Sequence, residues 1–381
     1  MLLRERLLAG DTYIPNYEMS HFPEVIQLGG IQIHLEIPEG RLNNRTLGSL
    51  GIVTSTGPLT EERIFEKTGI EVRAQADPDE TVQSLGKKAA RPLLQQASNK
   101  INAVVFMTSY PSIAGLEGKE NHAQAIARRL DLTNLAESVE GFIDDEGKML
   151  PEALDWHKAC SSFADWFSHI QRYQQQYNSF DEALLISSEI FSPTLPRIER
   201  GEMDPSLSPT ILGDMAAALR FRPGKDITVL ATTTLELPHL SNAICMPVDY
   251  SAIRQPAHSY PVPTNEYFSM QGKTIYKAIP VVSDMIVTTL DKAGLPHDKV
   301  RKILCHQASF PVLARIQESL PQNLRDKMYI NVREGNYSSA TILKALAEEI
   351  THGNIHNGDN IVFAGFGAGL YASVAAVKIG E

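Results

Sequence analysis

The sequence predicts an α/β protein in which one order of strands and helices is used twice. Three observations indicate this: short apolar runs alternate with segments of helical periodicity, the same order recurs in the two halves of the chain, and small or polar residues follow corresponding strands. Strands that alternate with helices favour mostly parallel sheets covered by helices, with reactive side chains at the carboxyl ends of the strands.

Each element of the first half has its own signal. The segment ETVQSLGKKAARPLLQQAS predicts a helix, INAVVFMTS a buried strand and NHAQAIARRL a second helix. The strand in ALDWHKACSS stops at small residues. The helix that follows has an apolar face made of Phe163, Trp166, Phe167, Ile170 and Tyr173. EALLISSEI and GDMAAALRF then predict two further strands.

The second half repeats this order. SDMIVTTLDKAG predicts a helix, KILCHQ a short strand and PVLARIQESL a helix. MYINVREGNYSS ends at small residues, like ALDWHKACSS, and leads into a helix whose apolar face holds Ile342, Leu343, Leu346 and Ile350. NIVFAGFG and GLYASVAAVKI predict the closing strands.

The spacing of matching positions supports the repeat and points to an insertion. Cys160 and Asn336 lie 176 positions apart, and Glu182 and Asn360, which open the next strands, lie 178 apart. The earlier strand pair, at positions 101 and 302, is offset by 201. The first half must therefore hold about 25 extra residues before the cysteine. The polar stretch AESVEGFIDDEGKM, near residues 133–150, is the expected inserted loop.

Composition and charge exclude several classes of protein. The 381 residues are 43% hydrophobic and 21% charged, which is typical of a globular protein of roughly two to three domain units. A net charge of -10 argues against nucleic acid as a partner. Three cysteines, Cys160, Cys245 and Cys305, are too few for a disulfide framework and favour the cytoplasm. MLLRERLLAG is a poor signal peptide, and no apolar run reaches membrane-spanning length.

Three side chains that could carry nucleophilic chemistry lie where predicted strands end: Cys160, His306 and Asn336. If Ser161 and Ser162 begin the next helix, its unpaired N–H groups and positive dipole end lower the pKa of the Cys160 thiol from about 8.5 and favour the thiolate. Each residue alone also has a structural interpretation, as a small buried thiol, a hydrogen-bonded core histidine and a turn asparagine.

A series of motifs, in a fixed order, resembles one known family. The motifs are the opening strand LGGIQIHLEIPEGRL, FEKTGIEVR with DETVQSLGKKAA, the cysteine turn KACSSF, ILGDMAAALRF, the histidine turn CHQAS, REGNYSSAT at the asparagine, and the glycine-rich hairpin FAGFGAGLYASVAAV. Over roughly residues 29–381 they are similar to the thiolase-fold condensing enzymes, in particular the 3-oxoacyl-[acyl-carrier-protein] synthase III-like ketosynthases.

The resemblance implies a thiolase-like fold, in which two duplicated α/β halves form a five-layered αβαβα sandwich. It implies an N-terminal extension over 1–28 and an N-terminal half over 29–262 that carries the nucleophile and the inserted loop. A C-terminal half over 263–381 then carries the histidine and the asparagine. A homodimer is implied as well.

The resemblance also implies the chemistry. Cys160 accepts an acyl group from a thioester, while His306 and Asn336 stabilise the enolate formed as a second, carrier-bound thioester loses carbon dioxide. The backbone N–H groups of Cys160 and Ala368 form the oxyanion hole for acyl transfer. No metal or cofactor is expected. The expected partners are acyl carrier protein and acyl thioesters, in fatty-acid-like, polyketide or dialkylresorcinol-type biosynthesis.

Some positions depart from the family pattern. Arg63 and Lys67 stand in EERIFEKTGI, where many members have a tryptophan and an arginine that clamp coenzyme A. Glu334 replaces a histidine and Pro311 an arginine. The missing aromatic surface favours a carrier-protein donor over coenzyme A, and the changes at Glu334 and Pro311 imply that docking uses different residues. The candidate contacts for an acidic carrier, which could equally be a solvated basic face, are Arg63, Lys67, Arg220, Arg222, Lys225 and Arg315.

Three alternatives stay open from the sequence. A papain-like protease also has Cys, His and Asn in this order, although its CGSCW signature is missing. A non-decarboxylating acyltransferase on the same scaffold would form an ester or amide, but such enzymes often replace the asparagine. A partner subunit of a heterodimeric ketosynthase would usually have lost one of the three residues, and all three are present.

Overall fold

The computed structural model describes residues 19–51, 53–54, 57–95, 101, 103–109, 122–130, 142–143, 149–150, 153–156, 158–176, 182–192, 211–245 and 269–380. The strands in these ranges are β1 Ile26–Leu28, β2 Ile31–Glu36, β3 Gly40–Asn43, β4 Val53–Thr54, β5 Gly57–Pro58, β6 Val72–Gln75, β7 Ala103–Met107, β8 Phe142–Ile143, β9 Met149–Leu150, β10 Ala153–Trp156, β11 Ala183–Glu189, β12 Met215–Phe221, β13 Ile227–Glu236, β14 Ile244–Cys245, β15 Ser269–Met270, β16 Val300–Cys305, β17 Met328–Tyr329, β18 Asn360–Gly367 and β19 Tyr371–Ile379.

The α-helices of the described chain cover both halves. They are α1 Asn44–Ser49, α2 Glu61–Thr68, α3 Val82–Gln95, α4 His122–Arg129, α5 Ser162–Gln176, α6 Gly272–Ala278, α7 Pro280–Lys292, α8 Phe310–Ser319, α9 Gln322–Arg325 and α10 Thr341–Thr351. Of the expected insertion at 133–150, only the short antiparallel pair β8 and β9 is described. Residues 1–18 of the expected extension and the expected boundary at 262/263 lie outside the described residues.

The two main sheets share one topology. The strand order is β1-β2-β12-β11-β7-β10 in the first sheet and β13-β19-β18-β16-β17 in the second. In the first sheet β10, β7 and β11 run parallel, and β12 and β2 follow antiparallel. In the second sheet β17, β16 and β18 run parallel, and β19 and β13 follow antiparallel. This correspondence confirms the expected duplication.

The second half begins earlier than the sequence predicts. β13 was not predicted as a strand, yet it pairs along its whole length with β19 in the second sheet. Its first five residues alternate buried and half-buried side chains, as in a strand with one face on a core. The chain therefore changes sheet at the turn 222–226, between β12 and β13, and the expected start at 263 is wrong.

The elements stack in five layers. Helices α5 and α10 form the middle layer, because α5 packs on β13, β18 and β19 while α10 packs on β2 and β12 as well as β16. Helices α3 and α4 cover the outer face of the first sheet. Helix α7, with α8 beside it, covers the outer face of the second. No helix in the described ranges has the length and apolarity needed to cross a membrane.

Aromatic packing and one carboxylate fix the middle layer. Phe163 and Phe167 of α5 pack on Phe363 of β18, with ring centroids 5.0 and 5.2 Å apart. These buried rings contribute through both the area that they remove from water and their mutual geometry. Asp165 of the same helix accepts a hydrogen bond from Ser373 Oγ at 2.8 Å. Helix α5 is thus held against the second sheet immediately after the cysteine turn.

Candidate active site

The three candidate catalytic residues line one cavity between the halves. A 3₁₀ turn at Ala159–Ser161, which follows β10, carries Cys160; His306 follows β16 directly; and the loop after β17 carries Asn336. All three side chains line the same cavity. The carboxyl ends of corresponding strands therefore meet where reactive groups are expected in α/β sheets.

The cavity is small and mostly apolar. Its volume is about 110 Å³, and three serines, Ser109, Ser309 and Ser338, are among its polar residues. The larger apolar side chains in its wall are Phe191, Ile211, Leu212, Ile244, Ile275, Val312 and Phe366. An apolar chamber that ends at a thiol can hold a hydrocarbon chain whose carbonyl carbon reaches the sulfur.

Left-handed backbone conformations occur at the turns around this cavity. Ala159 (φ 46°), Ser338 (φ 47°) and Leu370 (φ 42°) are the non-glycine residues with positive φ in the described chain. Each such conformation costs of order 1 kcal/mol or more. Ala159 immediately precedes Cys160, and Ser338 opens the corresponding 3₁₀ turn of the other half. The strain is therefore concentrated where the two halves present side chains to the cavity.

The Cys160 thiol is protonated in the resting site. Its Sγ lies 3.2 Å from Ser338 Oγ. Desolvation raises the pKa of the thiol to about 12, although the hydrogen bond with Ser338 acts in the opposite direction. The lowered pKa expected from the helix N-terminus is therefore wrong for this site, because desolvation outweighs the dipole. The thiol needs a proton acceptor before it can act as a nucleophile.

His306 is a neutral imidazole whose tautomer is set by a neighbouring hydroxyl. Burial lowers its pKa to about 3. Thr341 Oγ1 donates its one proton to the Ser338 carbonyl oxygen at 2.8 Å, so it must accept from His306 Nδ1, which lies 2.6 Å away. The ring proton is therefore on Nδ1, and Nε2 keeps its lone pair.

Asn336 is held firmly by its backbone and by one side-chain atom. Its backbone N–H donates to the Ile211 carbonyl at 2.9 Å, and its carbonyl accepts from the Gly213 N–H at 3.0 Å. Its Oδ1 accepts the Ser338 backbone N–H at 2.7 Å. Because Oδ1 is occupied, the NH₂ group is the part of this side chain that can donate to a ligand.

Gly367 keeps the space next to the nucleophile open. A Cβ at this position would lie 2.9 Å from the backbone nitrogen of Cys160 and 3.1 Å from its Cβ. Ala368, the other expected oxyanion donor, begins the 3₁₀ turn Ala368–Leu370 and lines the same cavity. Both backbone positions thus adjoin the cavity that holds the sulfur, and their role as an oxyanion hole stays a prediction.

A buried carboxylate close to the nucleophile was missed by the sequence analysis. Glu189, the last residue of β11, is fully buried and accepts hydrogen bonds from Thr108, Ser109 and Ser339. Ser109 Oγ in turn lies 2.7 Å from Ser338 Oγ, the group that contacts the thiol. Burial raises the pKa of Glu189. The signal available in the sequence was an acidic residue at the carboxyl end of a strand that is otherwise buried.

Arg220, a candidate carrier contact, is an internal ion-pair residue. Its guanidinium donates to Glu182 through Nε at 2.9 Å and through Nη2 at 2.6 Å. Both side chains are almost fully buried. A guanidinium that is enclosed and paired in this way cannot dock a carrier, so this expectation is wrong.

Arg222 and Lys225 lie at the end of the first sheet away from the cavity. In the pairing of β11 with β12, Glu189 is opposite the first residue of β12, and Ala183 is opposite the last. The seven-residue length of β12 separates the turn 222–226 from the cavity end by roughly 20 Å. Arg222 is also paired with Asp226 at 2.7 Å. These two residues are poorly placed to guide a substrate to Cys160.

Arg315 lies near the cavity. It follows Val312, a cavity-lining residue, by three positions on α8, which places both on one face of that helix. Its guanidinium carbon is 5.6 Å from the centroid of the Tyr276 ring. Tyr276 is 44% exposed and follows Ile275, which lines the cavity. Arg315 therefore stays a candidate for carrier contact.

Arg63 and Lys67 lie together on α2, which packs against α8. Arg63 Nη1 donates to the Pro58 carbonyl at 3.0 Å. Burial and then the neighbouring Arg63 charge lower the pKa of Lys67. The two residues are one helical turn apart, so they present a local concentration of positive charge and stay candidates for substrate contact.

Comparison with known proteins agrees with this geometry. Residues 290–379 match the family described as 3-oxoacyl-[acyl-carrier-protein (ACP)] synthase III C terminal. The chain is 26% identical to the beta-ketoacyl-[acyl-carrier-protein] synthase III of Clostridium perfringens (strain SM101 / Type A) over 326 residues, which are 84% of this chain and 91% of the relative. It is 25% identical to the corresponding protein of Sodalis glossinidius (strain morsitans) over 315 residues, 82% and 88% of the two chains.

Solved structures share the fold. The 3-oxoacyl-(acyl carrier protein) synthase III of Pseudomonas aeruginosa PAO1 superposes with a TM-score of 0.70 at 24% identity, over 94% of this chain and 99% of that one. Xanthomonas campestris OleA superposes with a TM-score of 0.69 at 17% identity, over 94% and 97%. This fold rules out the papain-like alternative. The chain therefore has the fold of the 3-oxoacyl-(acyl carrier protein) synthase III structures, and its residues 290–379 match the C-terminal model of that family.

Proposed function

We propose that this protein joins two acyl thioesters by a decarboxylative Claisen condensation. The observation that carries the proposal is the meeting of Cys160, His306 and Asn336 at one apolar cavity. A nucleophile, an imidazole and an amide donor are the groups that such a condensation needs, and the relatives named above bear a ketosynthase name.

The first half-reaction is acylation of the cysteine. The Cys160 thiolate attacks the thioester carbonyl carbon, the new S–C bond forms, and the thiolate of the donor leaves with a proton from solvent. Negative charge on the carbonyl oxygen is stabilised by the backbone N–H groups of Cys160 and Ala368. The apolar wall of the cavity takes the acyl chain, which favours a hydrocarbon donor over a polar one.

The second half-reaction forms the carbon–carbon bond. A carrier-bound malonyl-type thioester loses carbon dioxide, and the electron pair of the broken bond becomes an enolate that attacks the acyl-enzyme. The Asn336 NH₂ can donate to the enolate oxygen without any change of protonation. His306 Nε2 has no proton in the resting state, so it donates there only after its tautomer or charge changes. No metal or cofactor enters this scheme.

Intact-protein mass spectrometry tests the proposed acylation. Incubation with a panel of acyl carrier proteins and acyl-coenzyme A thioesters should add one acyl mass, and that mass identifies the donor acid. Cys160→Ala should abolish the label, whereas the matched control Cys305→Ala, at a buried thiol outside the cavity, should keep it. Labelling that persists at Cys245 or Cys305 in the Cys160→Ala variant would refute the assignment.

The second candidate is a non-decarboxylating acyltransferase on the same fold. It shares the acylation of Cys160 with the condensing enzyme and differs from it only in the second half-reaction. It would discharge the acyl-enzyme onto an amine or alcohol without releasing carbon dioxide. Labelled carbon dioxide from a carboxyl-labelled malonyl carrier therefore separates the two candidates. A partner-subunit role would show as no acylation of the isolated chain and acylation once a second ketosynthase chain is added.

Docking of the carrier is proposed at the α8 side of the cavity. Arg315, with Arg63 and Lys67 nearby on α2, supplies the positive charge that an acidic carrier would meet. Arg315→Glu should raise the KM for the carrier substrate, while Arg222→Glu at the far end of the first sheet should leave it unchanged. A homodimer and a cytoplasmic location also belong to this proposal; sedimentation should give about twice the 42.1 kDa chain mass.

A further inference from the structure

The thiol of the nucleophile is connected to a buried carboxylate by two serine hydroxyls. Cys160 Sγ lies 3.2 Å from Ser338 Oγ, and Ser338 Oγ lies 2.7 Å from Ser109 Oγ. Ser109 Oγ donates to Glu189 Oε1 at 3.0 Å. The hydroxyls come from both halves of the fold, because Ser109 follows β7 and Ser338 opens the turn after β17.

The number of available protons fixes which group donates in each hydrogen bond between Cys160 and Glu189. An ionised carboxylate only accepts, so Ser109 uses its one hydroxyl proton on Glu189. Ser338 must then donate to Ser109, and the Cys160 S–H must donate to Ser338. In the resting state every donor therefore points from the thiol towards Glu189. A shift of one proton along each bond reverses all of them together and leaves a thiolate and a carboxylic acid.

We propose that Ser338 and Ser109 relay the proton of the Cys160 thiol to Glu189, which is the proton acceptor when the nucleophile is activated. The place of this step in catalysis rests on the proposed function. The competing acceptor is His306 Nε2, which carries a lone pair on the same cavity. Among the described residues, however, the hydrogen-bond partner of the sulfur is Ser338 and not His306.

The environment of Glu189 suits a group that changes its protonation state. It is fully buried, hydroxyl and amide groups of Thr108, Ser109 and Ser339 donate to it, and no cation of the described ranges is paired with it. Burial raises the pKa of this carboxyl despite those donors. A buried carboxylate whose only purpose was structural would usually be paired with a positive charge. A carboxyl whose pKa is raised by burial takes up a proton more readily than an exposed one, which is what a proton acceptor needs.

The proton balance closes over the proposed cycle. In the acylation, Cys160 S–H gives its proton to Glu189 through the two serines, the S–C bond forms, and the departing donor thiolate takes a proton from solvent. In the condensation, carbon dioxide leaves, the enolate attacks the acyl carbon and the S–C bond breaks. The released Cys160 thiolate then recovers the proton from Glu189 along the same chain. One solvent proton is consumed per condensation, as decarboxylation of a malonyl carboxylate requires.

The test measures alkylation of Cys160 by iodoacetamide as a function of pH, with no thioester present, so it does not depend on the proposed condensation. Ser109→Ala interrupts the relay. The matched control is Ser339→Ala, which also removes a hydroxyl donor of Glu189 but not one that leads to the thiol. Peptide mapping measures the alkylation of Cys160 itself, and the Cys160→Ala variant gives the background from the other cysteines.

Ser109→Ala should shift the pH midpoint of alkylation upwards by about one unit and slow alkylation at pH 7.5 about tenfold. Ser339→Ala should stay within about twofold of the wild type. Glu189→Gln removes the acceptor together with the negative charge that raises the Cys160 pKa, so the double variant is the informative one: adding Ser109→Ala to Glu189→Gln should slow alkylation no further, because both changes break the same series of hydrogen bonds. If Glu189→Gln fails to fold by near-ultraviolet circular dichroism, the two serine variants alone decide.

The relay is overturned if the pH profile of Ser109→Ala superposes on that of the wild type. It is also overturned if Ser339→Ala has the same effect as Ser109→Ala, since that result makes Glu189 a structural anchor only. A shift seen in His306→Asn but not in Ser109→Ala would make the imidazole the acceptor. If the variants show the alkylation profiles expected from the relay but the wild type forms no condensation product, the proposed function is refuted and the relay stands.

Discussion

Ser20 donates both its backbone N–H and its hydroxyl to Oε1 of Glu334, at 2.5 and 2.7 Å, although 314 positions separate them in the chain. Oε2 of the same carboxylate lies 2.8 Å from Nζ of the buried Lys344. Because Glu334 precedes Asn336 by two residues, the N-terminal segment is tied to the loop that presents the amide donor. Burial works to raise the pKa of Glu334, but Lys344 and Ser20 outweigh it and hold this pKa below its usual range.

Removal of this carboxylate should therefore destabilise the fold. Glu334→Ala leaves Ser20 without its acceptor and leaves Lys344 with Glu348 as its nearest carboxylate, at 2.5 Å. Because Lys344 keeps one carboxylate while Ser20 loses its acceptor, the free energy of unfolding should fall by about 1 to 3 kcal/mol. Urea unfolding measures the loss. The control Arg45→Ala removes an exposed partner of Glu61 and should change this free energy by less than about 1 kcal/mol. Equal losses in both variants would contradict the assignment.

Much of the architecture follows from local sequence patterns. The duplicated order of elements, the helix after the cysteine and the closing strands were predicted, because apolar periodicity reports directly which face of an element is buried. β13 was missed because the half-exposed run TVLATTTLE has a weaker apolar signal than a fully buried strand. The start of the second half was misplaced for the same reason.

The candidate site was predictable in its residue types but not in its protonation. The strand-end positions of Cys160, His306 and Asn336 follow from the pattern, and the structure brings all three to one cavity. The raised pKa of Cys160 could not be predicted, because it depends on desolvation by residues distant in the sequence. Glu189 was missed because its partners Ser109 and Ser339 lie 80 and 150 positions away.

Gly367→Ala should slow acylation of the nucleophile without destabilising the fold elsewhere. The new Cβ would stand 2.9 Å from the Cys160 backbone nitrogen, so the cysteine turn must move. A displacement near 1 Å lowers the rate of a reaction that depends on alignment about 100-fold, so we expect the acylation rate to fall by between about 10-fold and 100-fold. Single-turnover acyl-enzyme formation measures it.

Gly272→Ala is the matched control for this substitution. Gly272 begins α6, and a Cβ there meets nothing within 4 Å. It should leave acylation unchanged and should raise helix stability slightly, by up to about 1 kcal/mol. If Gly367→Ala acylates as fast as Gly272→Ala, then close packing against Cys160 has no part in catalysis.

The neutral state of His306 should make the protein less stable in acid. Burial lowers the pKa of this imidazole from 6.5 to about 3, so the unfolded chain binds a proton between these values and the folded chain does not. The associated stability is present above pH 6.5 and is lost as the pH falls towards 3. In that window the free energy of unfolding of the wild type should fall by up to ~1.4 kcal/mol per pH unit more than that of His306→Asn. Urea midpoints from pH 7 to pH 4 measure the difference.

The exposed His352, at the end of α10, gives the control for this measurement. His352→Asn removes a histidine without changing the cavity, so its pH dependence should follow that of the wild type much more closely. Parallel curves for the wild type and His306→Asn would show that His306 takes up its proton at similar pH in the folded and unfolded chains.

Asn336→Ala should separate the two half-reactions. Asn336 Oδ1 accepts from the Ser338 backbone N–H, so its NH₂ group is the proposed donor to the enolate, whereas the proposed donors for acyl transfer are backbone N–H groups of other residues. The variant should therefore still accept an acyl group on Cys160. Loss of one oxyanion donor typically costs about 100-fold to 1,000-fold, or roughly 3 to 4 kcal/mol, so condensation should slow by that factor.

Single-turnover kinetics on a preformed acyl-enzyme provide the measurement, with mass spectrometry for acylation and labelled carbon dioxide for condensation. Asn336→Asp is the matched companion, because it keeps an oxygen for the Ser338 N–H but replaces the NH₂ donor with an acceptor when ionised. It should acylate normally and condense no faster than Asn336→Ala. If both variants condense at the wild-type rate, Asn336 serves only to shape its loop, and the non-decarboxylating acyltransferase becomes the better interpretation of this site.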